Sequence, residues 1–177
     1  RPALIFIDNE TLSFEALRRR VNRVANMLRA RGVKRGDRVA VMAPNLPAVP
    51  AIWLALAKLG AAIVWINMRY TSSELSYVLD DATPGHLLIH SDFLPIYDAI
   101  AKKPAQLTPE RIITLGAAGP YDDFDNLIAR ASEAFTPQWA TSPDDIVNIN
   151  YTSGTTGFPK GCMLPQLYWQ VFWACKS

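Results

Sequence analysis

Short apolar runs alternate with longer amphipathic segments along most of this chain. Five of the runs are apolar almost throughout, and they span residues 38–42, 61–66, 85–90, 111–115 and 146–151. Strands that are covered on both faces of a sheet have this composition, whereas strands with one face in water alternate apolar and polar residues. The runs therefore predict strands of a sheet that is buried on both sides.

The segments between the runs carry apolar residues at helical spacing. In the first of them these residues lie three or four positions apart, at Leu17, Val21, Val24 and Leu28. Ser13 is a good N-cap for this helix, and Gly32 predicts its end. Further helices are predicted over residues 48–60, 72–81, 95–102, 124–131 and 166–174.

The alternation of strands and helices predicts the fold class. Parallel strands need a crossover connection, which a helix usually supplies. The sequence therefore predicts an α/β fold with a mostly parallel sheet and helices on both faces. Residues 3–7 and 11–13 predict a short hairpin before the first helix, Thr71 or Ser72 caps the helix that runs through residue 81, and residues 132–145 predict a loop.

Composition and charge exclude several classes of protein. Of the 177 residues, 50% are apolar and 19% are charged, which is typical of a globular chain rather than a disordered one. The formal net charge of +2 is too small to indicate nucleic acid or an anionic membrane as a partner. The longest apolar stretch, residues 51–66, is interrupted by Lys58 and Gly60 and is shorter than the roughly 20 residues of a membrane-spanning helix. We therefore expect no nucleic-acid partner and no transmembrane segment.

Most charged and metal-ligating residues have a structural interpretation. The arginines of the first helix fall mostly off its apolar stripe, which predicts a solvated face: Arg18, Arg19, Arg20, Arg23 and Arg29. His86 and His90 flank a predicted strand, and no carboxylate or thiol cluster accompanies them, so we expect no metal site. Cys162 and Cys175 lack metal-site spacing, and reduced thiols predict a cytoplasmic location.

One segment near the end of the chain has the composition of a phosphate-binding loop. Residues 151–161 read YTSGTTGFPKG and directly follow the last apolar run. Glycines let a phosphate approach the backbone, consecutive N–H groups form an anion nest, and hydroxyls and a lysine add donors. The candidate nucleotide-binding residues are Thr152, Ser153, Gly154, Thr155, Thr156, Gly157 and Lys160. Lys160 is also the candidate catalytic residue.

The loop does not match the two most common phosphate-binding motifs. A Walker A loop has four residues between its glycines and ends in Gly-Lys-Ser/Thr, whereas two residues separate Gly154 from Gly157 and Pro159 precedes Lys160. The dinucleotide-binding GxGxxG pattern is also missing. A short Gly/Thr turn is often just a connection between two elements, but the full eleven-residue string is far more specific.

The string YTSGTTGFPKG resembles the phosphate-binding signature of the adenylate-forming, or AMP-binding, enzymes. This superfamily contains the acyl-CoA synthetases, the firefly-type luciferases and the adenylation domains of nonribosomal peptide synthetases. Weaker similarities lie in the same order along the chain, at LSFEAL (residues 12–17), KRGDRVAV (34–41) and KLGAAIVWINMRY (58–70). Residues 67–70 and the Ser-Glu-Leu that follows are more similar to acyl-CoA synthetases than to peptide-synthetase domains.

The resemblance implies a carboxylate–CoA ligase that uses ATP with Mg²⁺ and coenzyme A. A small carboxylic acid would attack the α-phosphorus of ATP to give an acyl-adenylate, and a thiol would then displace AMP. The resemblance also implies that residues 1–177 are the amino-terminal part of a large domain, that this part alone is inactive, and that its phosphate loop cradles the β- and γ-phosphates. A homo-oligomer is compatible with this interpretation.

Two other functions remain open from the sequence. One is the adenylation domain of a nonribosomal peptide synthetase, and the other is a naturally short, non-catalytic module for nucleotide binding or interaction. The chain also departs from the superfamily after the lysine, where Leu164-Pro165-Gln166 replaces a usual Thr-His pair. The aromatic residues of the following helix favour core packing over an acyl or aryl pocket: Tyr168, Trp169, Phe172 and Trp173.

Overall fold

A computed structural model describes residues 1–6, 11–117, 119–152 and 159–175 of the chain. In chain order its elements are β1 (Pro2–Ile5), β2 (Thr11–Ser13), α1 (Phe14–Ala30), β3 (Arg38–Met42), α2 (Ala48–Leu59), β4 (Ala62–Trp65), α3 (Ser72–Ala82), β5 (His86–His90), α4 (Leu94–Asp98), β6 (Ile112–Leu115), β7 (Asp122–Asp123), α5 (Phe124–Ala129), β8 (Ile146–Thr152), β9 (Lys160–Pro165) and α6 (Gln166–Ala174). Short 3-10 turns at Ser91–Phe93 and Pro109–Arg111 precede α4 and β6.

A mostly parallel sheet forms the centre of the fold. Within the described residues it has seven strands in the order β7-β6-β5-β3-β4-β8-β9. The strands from β3 to β8 pair in parallel, and β9 pairs antiparallel with β8 at the edge. The hairpin of β1 and β2 forms separately, as predicted. The predicted α/β class with a mostly parallel sheet is therefore confirmed.

Helices cover both faces of the sheet. One face packs Val39, Ile63 and their neighbours against α1, α2 and α5. The other packs Ala40 and Val64 against α3 and α4. Because side chains alternate between the faces of a strand, adjacent apolar residues such as Val39 and Ala40 each enter a different core. This arrangement explains why the central strands are apolar throughout.

Local capping signals set the helix boundaries. The Ser13 hydroxyl accepts a hydrogen bond from the Ala16 amide at 3.1 Å, which caps α1 as predicted. Thr71 rather than Ser72 caps α3, and it forms a capping box with Glu74. Gly60 ends α2 in the left-handed conformation with φ of 65°, which glycine adopts without steric cost.

Two predicted helices are shorter than expected. The helix predicted at 95–102 ends at Asp98, because Lys103 donates to the Asp98 carbonyl at 3.2 Å and Ile100 turns into the core. Pro104 also disfavours helical conformation in the residue before it. The helix predicted at 124–131 ends at Ala129, and Asp123 caps it by accepting from the Asn126 amide at 2.8 Å.

The loop predicted at 132–145 is ordered by contacts with α1 and α2. Side-chain amides of α1 donate to its backbone carbonyls, and the Trp139 indole donates to the Leu59 carbonyl at 2.9 Å. Arg23 pairs with Glu133 of this loop at 2.9 Å, while Arg18 pairs within α1 with Glu15. The arginines thus form a partly solvated face whose members also hold the loop.

Candidate functional site

The candidate phosphate loop connects β8 to β9 at the edge of the sheet. Thr152 is the last residue of β8 and pairs with Lys160, the first residue of β9. The intervening candidate residues lie outside the described part of the chain: Ser153, Gly154, Thr155, Thr156 and Gly157. The structure therefore brings Thr152 and Lys160 together and gives no position for the residues between them.

Lys160 is accessible beside Thr152. Both residues are exposed, and within the described residues the Lys160 ammonium has no hydrogen bond or ion pair. A lysine that is not neutralised by a carboxylate can offer its full positive charge to an anion. The neck of the loop therefore presents one hydroxyl on β8 and, on the adjacent strand, a cation that no described carboxylate neutralises.

The loop leaves β8 at the carboxyl end of a parallel strand. β8 lies beside β4, with Trp65 paired to Asn150 near the ends of both strands. The connection after β3 leads to α2 on one face of the sheet, whereas the connection after β4 leads to α3 on the other. Ligands bind in the crevice that such a change of direction creates. The candidate loop thus leaves the same carboxyl edge of the sheet, one strand away from that crevice.

The middle of β8 is linked to α2 and, through α2, to α6 by a polar and aromatic cluster. Asn148 is buried in the middle of β8, and its side-chain oxygen accepts a hydrogen bond from the Trp53 indole at 2.6 Å. Trp53 also contacts Trp169 of α6 edge-to-face, with ring centroids 5.1 Å apart. A buried amide needs such a partner, so the cluster fixes β8 below the loop.

Tyr151, the first residue of the segment 151–161, makes two contacts that were not predicted from the sequence. The Tyr151 hydroxyl donates a hydrogen bond to the Asp81 carboxylate. The ring of Tyr151 lies close to Gly161, the residue after Lys160. No local sequence pattern connects Asp81 to a tyrosine 70 positions later.

The helix after the loop exposes an apolar face. Trp169 packs against Trp53, as predicted for core packing. Tyr168 and Phe172 were expected to do the same, but they remain 46% and 38% exposed because no described element covers them. They line a shallow groove of about 740 Å³ together with Pro165, Leu167, Val171 and Cys175. The side chain of Trp173 lies outside the described part of the chain.

The two histidines have structural contacts in and beside β5. His86 is buried in β5, where one ring nitrogen lies 2.9 Å from the Arg31 carbonyl oxygen, and burial lowers the pKa of its ring. His90 lies at the end of β5 and accepts a hydrogen bond from the Asp92 amide. Within the described ranges, no three His, Cys, Asp or Glu side chains are grouped closely enough to hold a metal ion. None of the described helices combines the length and apolar content needed to cross a bilayer.

The sequence matches one enzyme family along nearly its whole length. The family profile described as AMP-binding enzyme matches residues 1–176. A crotonobetaine/carnitine–CoA ligase of Salmonella paratyphi A is 35% identical over 173 residues, which cover 93% of this chain and 33% of that ligase. The chain thus spans about a third of the length of the curated relatives it matches.

Solved structures of CoA ligases share the fold described above. An anthranilate CoA ligase, AuaEII, in complex with anthranoyl-AMP aligns with a TM-score of 0.86 and 28% identity, over 94% of this chain and 32% of that one. ATP-bound MatB from Rhodopseudomonas palustris aligns with a TM-score of 0.77 and 36% identity, over 90% of this chain and 31% of that one. Both alignments cover this chain almost entirely and the ligases only in part.

Proposed function

The chain belongs to the AMP-binding enzyme family, and from this premise we propose that the whole protein is an ATP-dependent carboxylate–CoA ligase that works through an acyl-adenylate. The observation that carries the proposal is the neck of the loop, where Thr152 and Lys160 pair at the carboxyl end of β8. The similarity to CoA ligases over the same residues supports it. In this proposal, residues 1–177 are the amino-terminal part of the large domain of a longer enzyme.

We propose that the loop binds the β- and γ-phosphates of ATP. Backbone N–H groups and hydroxyls of Thr152, Ser153, Thr155 and Thr156 would donate to phosphate oxygens, and Gly154 and Gly157 would let the phosphates approach the backbone. Thr152 supports this assignment, because it lies exposed at the end of β8, where a donor can face the loop. The phosphate loop would thereby hold the leaving group of the first reaction step.

We propose that Lys160 stabilises the negative charge that develops on pyrophosphate during adenylation. When a carboxylate oxygen attacks the α-phosphorus, the bond from that phosphorus to the bridging oxygen breaks, and negative charge moves onto the departing pyrophosphate. A fixed ammonium beside the leaving group stabilises this charge more in the transition state than in the ground state. The position of Lys160 at the start of β9, opposite Thr152, is consistent with this role.

Magnesium is best treated as part of the nucleotide substrate. Mg²⁺ binds phosphate oxygens and water with only one or two protein carboxylates. We propose that the ion enters as Mg·ATP, because phosphate oxygens supply much of the oxygen coordination that Mg²⁺ prefers. In this proposal, Thr152 and Lys160 contact the phosphates that carry the ion.

The second step transfers the acyl group from AMP to a thiol. We propose coenzyme A as that thiol, because the crotonobetaine/carnitine–CoA ligase and the anthranilate CoA ligase named above are CoA ligases. We also propose a small carboxylic acid as the third substrate and a cytoplasmic location, since the exposed thiols of Cys162 and Cys175 suit a reducing compartment. Residues 1–177 alone are expected to be inactive, because they match only about a third of a complete ligase.

The proposal is tested by carboxylate-dependent exchange of pyrophosphate into ATP, measured on the full-length protein with a panel of carboxylic acids. We expect exchange with at least one acid in the absence of CoA, and formation of AMP and an acyl-CoA when CoA is added. Exchange without transfer to CoA would instead favour a peptide-synthetase adenylation domain. ATP binding without exchange for any acid would favour a non-catalytic module.

A further inference from the structure

A side-chain hydrogen bond ties the start of the phosphate loop to a distant helix. The Tyr151 hydroxyl donates to the Asp81 carboxylate, and Tyr151 directly precedes Thr152 at the end of β8. Asp81 lies in the last turn of α3. A hydrogen bond to a charged acceptor is among the stronger ones in proteins. The strand that leads into the loop is therefore held by an element that is not its neighbour in the sequence.

The same tyrosine ring also covers the return strand. A Cβ atom on Gly161 would lie 3.1 Å from Cζ and 3.3 Å from the hydroxyl oxygen of Tyr151. Gly161 directly follows Lys160 and pairs with Tyr151 across the two strands. The ring thus occupies the space that glycine leaves open. One side chain contacts both strands where they enter and leave the loop.

The turn of α3 that contains Asp81, the acceptor of this hydrogen bond, is bonded to the central strand β3. Arg38 at the start of β3 donates a hydrogen bond to the Ala82 carbonyl at 2.9 Å, next to Asp81. Leu79 and Ala82 of the same turn are buried. Burial first, and then the hydrogen bond to Asp81, raise the pKa of Tyr151 well above its usual range. Its hydroxyl therefore remains a donor at neutral pH.

We propose that Tyr151 is a positioning residue for the phosphate loop and that it forms, with Asp81 and Gly161, a clamp on both ends of this loop. The proposal rests on the proposed function, because it assumes that the loop binds ATP. Binding is more favourable when the groups that flank the ligand are held in place beforehand, because less conformational entropy is then lost on association. The contacts of Tyr151 hold the two strand ends from which the loop leaves. The clamp therefore acts on ATP and not on the acid or CoA.

The first test removes only the hydroxyl that donates the bond. In the full-length protein, Tyr151→Phe should lower kcat/KM for ATP about tenfold, which corresponds to the loss of about 1.4 kcal/mol. The KM values for the acid and CoA should stay unchanged. Tyr121→Phe is the matched control, since Tyr121 is also half-buried and packs against Tyr97 in the core on the same face of the sheet. It should leave all of these constants at their parent values.

A double-mutant cycle tests whether the two residues act as a pair. Asp81→Ala should reproduce the effect of Tyr151→Phe, and the double variant should lose about tenfold rather than about a hundredfold. Asp81→Asn keeps an acceptor oxygen and should retain most of the parent kcat/KM for ATP. Asp80→Ala changes the neighbouring exposed acid, which has no hydrogen bond or ion pair within the described residues, and should have no effect.

Hydrogen exchange provides a readout that does not depend on activity. In Tyr151→Phe, amides at the neck of the loop, Thr152, Lys160 and Gly161, should exchange faster by about tenfold, while amides of β3 keep their parent rates. Gly161→Ala should act in the same direction, because its Cβ displaces the ring. If the parent protein exchanges no pyrophosphate into ATP with any acid, the proposed function fails. The amide hydrogen-exchange rates of the parent and of Tyr151→Phe still decide whether the clamp exists.

Three results would overturn the proposal. The first is a lower melting temperature of Tyr151→Phe with unchanged kcat/KM for ATP, which would give the tyrosine a purely structural role. The second is an equal loss for ATP, acid and CoA, which would point to a general disturbance. The third is full additivity of Tyr151→Phe and Asp81→Ala, which would show that the two side chains do not act together.

Discussion

The centre of the sheet and its β9 edge differ in how completely they are covered. Around β3, helices lie on both faces, and Val39, Ala40 and Ile63 are fully buried. At the edge, β9 is exposed along most of its length, and Leu167 and Val171 of α6 are 45% and 52% exposed. In the first region, the apolar surface of the strands is buried by other described residues. The second leaves an apolar face of α6 exposed, together with Thr152 and Lys160 at the neck of the loop.

Burial at the central strands stabilises the fold, whereas the exposed residues at β8, β9 and α6 are available for binding. A covered strand depends on the burial of its side chains, so its sequence is apolar on both faces. The β8–β9 neck depends instead on backbone pairing and on a few side-chain contacts, which leaves Thr152 and Lys160 free to face a ligand. If residues 1–177 belong to a longer large domain, as proposed above, the apolar face of α6 is the surface against which the rest of that domain would pack, because monomers rarely expose large apolar patches.

Replacement of a buried leucine should have the largest effect and should sharpen the contrast between covered and exposed positions. Leu56 of α2 is fully buried, whereas Leu54 of the same helix is 38% exposed. Leu56→Ala should lower the free energy of unfolding of the core by about 2–5 kcal/mol, since it removes buried methyl groups and leaves a cavity. Leu54→Ala should change it by less than about 0.5 kcal/mol. Native-state hydrogen exchange of the slowest amides in β3 and β4 measures the change in the free energy of unfolding for each variant. Equal changes in Leu56→Ala and Leu54→Ala would contradict the different burial of the two leucines.

Loss of a helix cap should have an intermediate effect. The Thr71 hydroxyl accepts from the Glu74 amide at 3.4 Å, and the Glu74 carboxylate accepts from the Thr71 amide at 2.8 Å. Thr71→Ala should destabilise α3 by about 1 kcal/mol, whereas Thr71→Ser keeps the hydroxyl and should restore most of that loss. Hydrogen exchange in the first turn of α3 measures the difference, and no gain from serine over alanine would refute the cap.

A polar substitution on α6 should have the smallest effect on stability and a clear effect on association. We expect residues 1–177, made alone, to self-associate or aggregate through the apolar face of α6. Val171→Ser should change stability by less than about 0.5 kcal/mol, yet it should weaken association in sedimentation experiments. Phe14→Ser removes an exposed apolar residue of α1 and serves as the control. A compact monomer in the parent chain would contradict this account of α6.

The covered region could be predicted from the sequence almost completely. The apolar runs predicted β3, β4, β5, β6 and β8, because strands buried on both faces leave a strong local signal. Capping residues such as Ser13 also fixed one helix start, since a cap is a contact between near neighbours. The short strand β7 and the early end of α4 were missed. Both depend on weaker contacts, with β6 and with Lys103 respectively.

The exposed region could be predicted only in part. The motif at 151–161 indicated a phosphate loop, but β9 was missed because its residues are mostly exposed and carry no apolar alternation. Its pairing with β8 is a contact that no local pattern specifies. The contact of Tyr151 with Asp81 was missed for the same reason, because it joins two residues through the tertiary fold. The positions of Ser153–Phe158 lie outside the described residues, so their assigned contacts with ATP stay predictions.

The exchange of pyrophosphate into ATP by Lys160→Ala tests the central claim most directly. Lys160 is the described charged residue of the loop, and Lys102, an exposed lysine after α4 on the other side of the sheet, provides the matched control Lys102→Ala. If Lys160 stabilises the departing pyrophosphate, its loss should slow carboxylate-dependent exchange by about 30- to 150-fold, or about 2–3 kcal/mol, while Lys102→Ala keeps the parent rate. Unchanged exchange in Lys160→Ala would contradict the assignment of this loop to the reacting phosphates.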